Sequence, residues 1–226
     1  MRVVLTREAG RNDEMRAWLP DHASVTELPL TSTRYVELSE VDRLLRSTAP
    51  RYGEFAALVV TSSRTKPYVA TAQRALRAGA AVLSVGPATT RSLQELGVAI
   101  SAEAPSRALD LANHIVRGPV LLLGAGEMRD ELTSALEARS IEVTHVACYH
   151  TLAETLSGEQ QDLLGRAQVV LIGAPTAWVV AQPFVNASTL VVVPGAATAS
   201  VVLTHHERVL EGWGPSLRER LGSLED

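Results

Sequence analysis

Short runs of consecutive apolar, mainly β-branched residues alternate along the chain with longer stretches whose apolar residues recur at helical spacing. The runs predict strands over Val3–Thr6, Val25–Leu30, Ala57–Thr61, Ala81–Val85, Val98–Ser101, Val120–Leu123, Glu142–Ala147, Gln168–Ile172 and Thr189–Val193. A weaker run predicts a further strand near Arg208–Leu210. Near-continuous hydrophobicity, rather than strict in–out alternation, predicts parallel strands covered on both faces. The stretches between them predict helices over Ala9–Leu19, Ser63–Ala78, Pro87–Leu96, Ser106–Val116, Glu127–Arg139, Ser157–Arg166, Pro175–Val185, Ala196–Thr204 and Pro215–Leu221. Ser157 and Gln160 have the spacing of a capping box, and Pro215 suits a first helical turn. The alternation predicts an α/β chain whose parallel sheets are open, doubly wound and flanked by helices.

An internal repeat divides this pattern in two. Val3-Val4-Leu5 resembles Val120-Leu121-Leu122, and the turn beginning at Thr61 answers the turn beginning at Gly173. Gly86-Pro87-Ala88-Thr89-Thr90 resembles Gly195-Ala196-Ala197-Thr198-Ala199, and Pro105-Ser106 resembles Pro215-Ser216. Four landmarks in one order at nearly constant spacing predict a duplicated unit, hence two similar lobes. Two stretches, Leu30–Val36 and Val146–Thr151, break the rhythm at equivalent places. They read as extended β-linkers centred on residues 32–35 and 148–150. The chain is then expected to leave one lobe, build the second and return.

Composition narrows the function. A chain of 226 residues that is 46% hydrophobic and 20% charged can bury sizeable cores. Aromatics at 4% leave few platforms for stacked bases, and a net charge of −4 opposes generic binding to nucleic acid or anionic membranes. The single cysteine, Cys148, excludes an internal disulfide and a cysteine-rich metal cluster, and it fits a reducing cytosol. No apolar run reaches the length of a membrane span. Met1-Arg2 lead straight into the first strand, so no signal peptide and a cytoplasmic location are expected.

The candidate chemistry lies in the turns. Gly124-Ala125-Gly126 follows an apolar strand in the manner of a dinucleotide fingerprint, but Arg129 stands where the third glycine belongs. Either it is a tight turn, or the following helix N-terminus holds a carboxylate with Arg129 adding hydrogen bonds from the first turn. In the Gly86–Thr89 and Gly195–Thr198 turns, glycine permits close backbone approach and a threonine hydroxyl supplies a donor. At matched repeat positions they point to two lobes facing one anionic ligand, with helix capping as the other reading. Thr61-Ser62-Ser63 lacks a G-x-S-x-G setting, which favours capping or ligand donation over a serine nucleophile. His22, His114, His145, His150, His205 and His206 show no metal-binding spacing and read as surface or terminal residues. Cys148 reads as a small buried hydrophobe. Tyr149, in a linker, is either a hydrogen-bond donor or acid at the cleft, or a packing residue. Arg7 follows the first strand at the edge where open α/β sheets place ligands, and Arg34, Arg64, Arg91 and Arg107 lie near turns or linkers.

Together these stretches resemble the uroporphyrinogen-III synthase family. The resemblance rests on Leu5-Thr6-Arg7, Val60-Thr61-Ser62-Ser63, Val85-Gly86-Pro87-Ala88-Thr89, Val120–Gly124 with Arg129, Tyr149, and Pro194-Gly195-Ala196-Ala197-Thr198-Ala199, and it runs along nearly the whole chain. It implies two α/β lobes joined by two β-linkers, a discontinuous one of residues 1–31 plus 151–226 and a second of residues 36–147, with no metal or organic cofactor and with hydroxymethylbilane as substrate. The implied reaction closes that linear tetrapyrrole with ring D inverted and water lost, through an azafulvene and a spiro-pyrrolenine. The implied site has Tyr149 assisting departure of the hydroxyl. Arg7, Ser62, Ser63, Gly86, Thr89, Gly124, Arg129, Gly195 and Thr198 hold the substrate. A monomer is the expected state. Where the family commonly has a serine or threonine pair, this chain has Gly173-Ala174-Pro175. A non-catalytic binder of a tetrapyrrole or other anion on the same fold is the competing expectation.

Overall fold

The computed structural model of the chain describes residues 1–48 and 51–223. In chain order the elements are β1 (Arg2–Leu5), α1 (Asp13–Ala17), β2 (Ser24–Glu27), β3 (Thr31–Tyr35), α2 (Leu38–Ser47), β4 (Phe55–Val60), α3 (Val69–Gln73), β5 (Leu76–Val85), α4 (Pro87–Gln94) and β6 (Ala102–Ala104). There follow β7 (Val120–Ala125), α5 (Glu131–Glu137), β8 (Val143–Ala153), α6 (Gly158–Gly165), β9 (Val169–Leu171), α7 (Pro175–Ala181), β10 (Leu190–Val193), α8 (Ala196–Val202), β11 (Val209–Glu211) and α9 (Leu217–Gly222). Tight 3-10 turns occupy Ser63–Tyr68, Ala108–His114 and Gln182–Phe184. The chain divides into two compact units, Met1–Ser32 with Leu152–Asp226, and Thr33–Thr151.

The discontinuous unit holds a five-stranded sheet in the order β11-β10-β9-β1-β2, every pair parallel. Side chains alternate across it. Val4, Val170, Ile172, Val191 and Val193 meet Trp178, Ala181, Ala199 and Val202 on one face. Val3, Leu5, Val169, Leu171 and Val192 meet Met15, Leu19, Leu217 and Leu221 on the other. Burial on both faces accounts for the continuous apolar runs. The capping box at α6 is formed, with Ser157 Oγ accepting from Gln160 N–H and Gln160 Oε1 accepting from Ser157 N–H.

The other unit holds a six-stranded sheet in the order β3-β8-β7-β4-β5-β6, parallel from β8 through β6. Leu58, Val60, Leu121 and Leu123 pack against Val41, Leu45, Tyr68, Val69 and Leu93. Ala57, Val59, Val120 and Leu122 pack against Leu111, Ile115, Leu132 and Leu136. Each fully buried side chain of this size contributes about 1.5–3 kcal/mol. Burial therefore outweighs local propensity in fixing the elements.

Several boundaries differ from the sequence reading. The two extended β-linkers are β3 and β8, which pair with each other and carry the chain across the divisions between units at Ser32/Thr33 and Thr151/Leu152; β8 is longer than expected, running to Ala153. The long helix expected over Ser63–Ala78 is a 3-10 turn and five residues of α3. Pro67 cannot donate to a helix ladder, and β5 begins at Leu76 opposite Phe55. The helix expected over Ser106–Val116 is a 3-10 turn. The strand expected at Val98–Ser101 lies at Ala102–Ala104. The helix α2 has no counterpart in the sequence reading, because it buries only Val41 and Leu45. Pro215 sits in the turn before α9 rather than in its first helical turn.

Candidate functional site

Open α/β sheets bind ligands outside the carboxyl ends of their strands, where the strand order reverses. In the six-stranded sheet β4 leads outward to β5 and β6, after which the chain returns to β7 beside β4 and continues to β8. The reversal therefore lies between β4 and β7. In the five-stranded sheet it lies between β1 and β9. Residues at or just beyond the carboxyl ends of these four strands line the two switch points: Thr61-Ser62-Ser63 and Gly124–Arg129 in one unit, Thr6-Arg7 and Gly173-Ala174 in the other.

Each switch point is bridged by one threonine. Thr61 Oγ1 donates to Leu123 O at 3.0 Å, and Thr6 Oγ1 donates to Leu171 O at 2.6 Å. Beside Thr61 lies Gly124, where an added Cβ would overlap Met128 and come within 2.8 Å of Thr61 Oγ1. Gly124 therefore serves close packing. Beside Gly173 lies Arg7, whose Cγ would stand 3.3 Å from an added Cβ, with Trp213 at 3.4 Å. The Arg7 guanidinium carbon stands 5.9 Å from the Trp213 ring centroid, within cation–π range.

Next along each edge come two equivalent helix entries. Gly86 caps α4 and Gly195 caps α8, and in each the third helical residue is threonine. Thr89 and Thr198 donate backbone N–H to the capping glycine carbonyl, each at 3.0 Å. These residues are 4% and 5% exposed, and among the described residues neither hydroxyl has a hydrogen-bond partner. Thr90, one residue on, is instead engaged with Ser84 at 2.7 Å. Gly86 has φ +81°, which favours glycine, whereas Gly195 is extended.

At the end of β8 the pairing with β7 slips by one residue. Gly124 pairs with Ala147 but Ala125 pairs with Tyr149, so Cys148 is a β-bulge. In a regular strand Cys148 and Tyr149 would point to opposite faces; here both lie in the same apolar cluster. Tyr149 thus lies on the linker strand β8, as expected, but is buried in the core. Its ring stands 6.4 Å from Tyr35, with the Arg64 guanidinium carbon 5.6 Å from its centroid. Burial pushes the Cys148 thiol up to about 12, which keeps it neutral and unreactive. His150 follows the bulge, and its Nδ1 stands 3.0 Å from Glu127 Oε1. Sequence reasoning treats His150 as an ordinary surface histidine. The pairing depends on the bulge, for which the sequence carries no mark.

The remaining expected residues are scattered along the same edges. Ser62 Oγ accepts from Arg64 N–H at 3.2 Å, capping the turn in which Ser63 is the first residue. Arg129 precedes α5 rather than standing in its first turn, and it is exposed with Glu131 3.7 Å away. Arg107 is paired with Asp110 at 2.6 Å. A cavity of about 520 Å³ lined by Arg2, Arg166 and Arg208 opens at the amino ends of β1, β9 and β10, opposite the ligand edge. There Arg2 Nε donates to Arg166 O and Arg208 Nη1 donates to Ser188 O, so these cations cap backbone carbonyls. Among the described residues no three His, Cys, Asp or Glu side chains gather as metal ligands would, and no helix is long and apolar enough to cross a membrane.

Similar proteins carry the same architecture. The chain covers 100% of its own length and 97% of a mutant uroporphyrinogen III synthase from the extremely thermophilic bacterium Thermus thermophilus, at TM-score 0.69 and 16% identity. It likewise covers 100% of itself and 100% of uroporphyrinogen-III synthetase from Helicobacter pylori 26695, at TM-score 0.62 and 16% identity. No curated protein matches it. The family profile described as HEM4, uroporphyrinogen-III synthase HemD, matches residues 21–206, and the chain therefore belongs to the uroporphyrinogen-III synthase family.

Proposed function

We propose that this chain cyclises hydroxymethylbilane with inversion of ring D and loss of water, acting as a cofactor-free hydro-lyase and a monomer in the cytoplasm. The observation that carries the reading is the repeated helix entry. On a chain of this family, each sheet edge offers a largely buried threonine, Thr89 or Thr198, whose hydroxyl has no partner of its own among the described residues. Such donors suit the carboxylates of a tetrapyrrole. The chemistry asks for little acid–base power, since the open-chain substrate closes spontaneously to the uninverted isomer. The catalyst must hold the chain so that ring D reacts at its substituted carbon, which is catalysis by positioning.

In this reading Thr89 and Thr198 bind substrate carboxylates, and Gly86 and Gly195 let the backbone come close. Arg7 and Arg129 add positive charge. Ser62, Ser63 and the Gly124 turn shape the edge at the β4–β7 switch point. Tyr149 donates its phenolic proton toward the departing hydroxyl, and Arg64 over its ring favours the charge that develops on the phenol oxygen. Freshly generated hydroxymethylbilane, with the products oxidised and separated, tests the proposal. Predominantly type III uroporphyrin, absent from the protein-free control, is expected. Type I alone at the spontaneous rate, from folded protein, would leave only ligand binding.

A further inference from the structure

We infer that His150, oriented by Glu127, is the proton acceptor of the closing step, an assignment that rests on the synthase reading above. Two independent features of the fold present this pair. The first is the bulge at Cys148: it sends Tyr149 into the core and leaves His150 on the opposite face of β8, at the carboxyl edge. The second is Gly126. A Cβ there would overlap the imidazole, so the ring is seated against bare backbone, and Gly126 N–H is tied to Tyr149 O at 2.7 Å.

Glu127 lies one residue further on, 3.0 Å from Nδ1. A carboxylate there favours the tautomer with its proton on Nδ1, which leaves the Nε2 lone pair as the acceptor. The hydrogen bond from His150, then that from its own backbone N–H, hold the Glu127 carboxyl below the usual range, and Arg34 on β3 adds to this. Glu127 therefore stays ionised and favours the imidazolium once formed. The side chain of His150 is 30% exposed, so it is seated yet open to a ligand. Glu127 is the charged group paired with the ring, and Arg34 bears on Glu127; Tyr149 lies on the other face of the strand.

The chemistry has a place for such a base. Once the spiro-pyrrolenine has released its old bond to the bridging methylene, the unsubstituted carbon of ring D joins that methylene, and this joining carbon still bears a hydrogen. Breaking that C–H bond returns its electron pair to the pyrrole, and the proton goes to Nε2 of His150. The hydroxyl has earlier left as water with a proton from Tyr149, and solvent returns the proton from His150 to the tyrosinate. The sum is loss of one water.

The test is type III formation by His150→Gln and Glu127→Gln over a range of pH. Wild type is expected to slow toward acid as the imidazole protonates. His150→Gln is expected to lose about 100-fold in kcat with KM little changed, and to lose the acid limb. Glu127→Gln is expected to lower kcat by a smaller factor with KM little changed, because the ring loses the carboxylate that orients it. Wild-type kcat and an unchanged pH profile in His150→Gln would overturn the assignment. Should His150→Gln lose its circular dichroism, Glu127→Gln decides: a lowered kcat with KM little changed supports the pair, and wild-type kcat overturns it. If wild type itself forms only type I, the synthase reading falls first and the assignment with it; active wild type with an indifferent His150→Gln removes the assignment alone.

Discussion

The two units solve the same packing problem from opposite sides. At the β4–β7 switch point the bulk sits on β4, as Thr61, and the space on β7, as Gly124. At the β1–β9 switch point the bulk follows β1, as Arg7, and the space follows β9, as Gly173. The repeat makes Gly173 the counterpart of Thr61. Its missing hydroxyl is thus not a simple loss: the glycine makes room for the Arg7 stem and for Trp213. One unit presents neutral donors at its switch point, the other a guanidinium on an aromatic ring. A duplicated scaffold with unlike chemistry at its two edges suits an asymmetric substrate better than two identical edges would.

The strongest way to break this comparison is to fill both gaps. Gly124→Ala forces a methyl onto Thr61 and Met128 and is expected to lower stability by up to about 3 kcal/mol, measured by denaturant unfolding. Thr61→Ala in the same chain should recover part of that loss. Gly173→Ala meets only flexible or peripheral atoms and is expected to cost less than about 1 kcal/mol. Equal losses at the two glycines would mean that the gaps are not reciprocal.

The helix entries sharpen it further. Gly86→Ala is expected to cost about 1–2 kcal/mol because φ +81° is unfavourable for an L side chain. Gly195→Ala, extended and with its nearest neighbour atom 3.9 Å from an added Cβ, should be nearly neutral in stability. A loss of activity in stable Gly195→Ala would then report ligand approach at that turn. The caps give a smaller contrast. Ser62→Ala removes a formed cap and should cost about 1 kcal/mol, while Ala174→Ser offers α7 a cap it lacks and should raise stability by a similar or smaller amount.

The smallest effect concerns acid. Hydrogen bonds from Arg16, then Asn12, hold the Glu27 carboxyl below its ordinary value. The stability this contributes is present above the unfolded carboxyl's titration and is lost as pH falls through the folded one. Glu27→Gln should therefore flatten the acid side of the stability profile and leave neutral pH as the only region of net loss. Parallel acid profiles for the two proteins would remove Glu27 from the list of contributors.

Much of the fold was legible because buried parallel strands leave an unbroken apolar trace, and Val120–Leu123 or Leu190–Val193 cannot be mistaken for surface. The repeated Gly-x-x-Thr was legible for another reason: a helix entry is local, so its residues stay adjacent in sequence. Elements whose pairing partner decides their state were not. Leu76–Ala80 has an alanine-rich, helix-like sequence, yet pairing with β4 draws its start into β5. Leu38–Ser47 is polar except for Val41 and its leucines, and contact with the core settles it. The His150–Glu127 pair was least legible of all. It depends on one extra residue at Cys148, which reverses the facing of everything after it.

The most direct test of the two-edge account compares Thr89→Val and Thr198→Val in the isomer assay. The hydroxyl's loss should remove a hydrogen bond to a charged group, and each substitution alone is expected to slow type III formation about 10–100-fold. The fraction of type I should rise in both, since substrate not held for inversion closes spontaneously, while circular dichroism and unfolding midpoint stay near those of wild type. Wild-type rate and isomer ratio in either folded variant would contradict the claim that both helix entries hold the substrate.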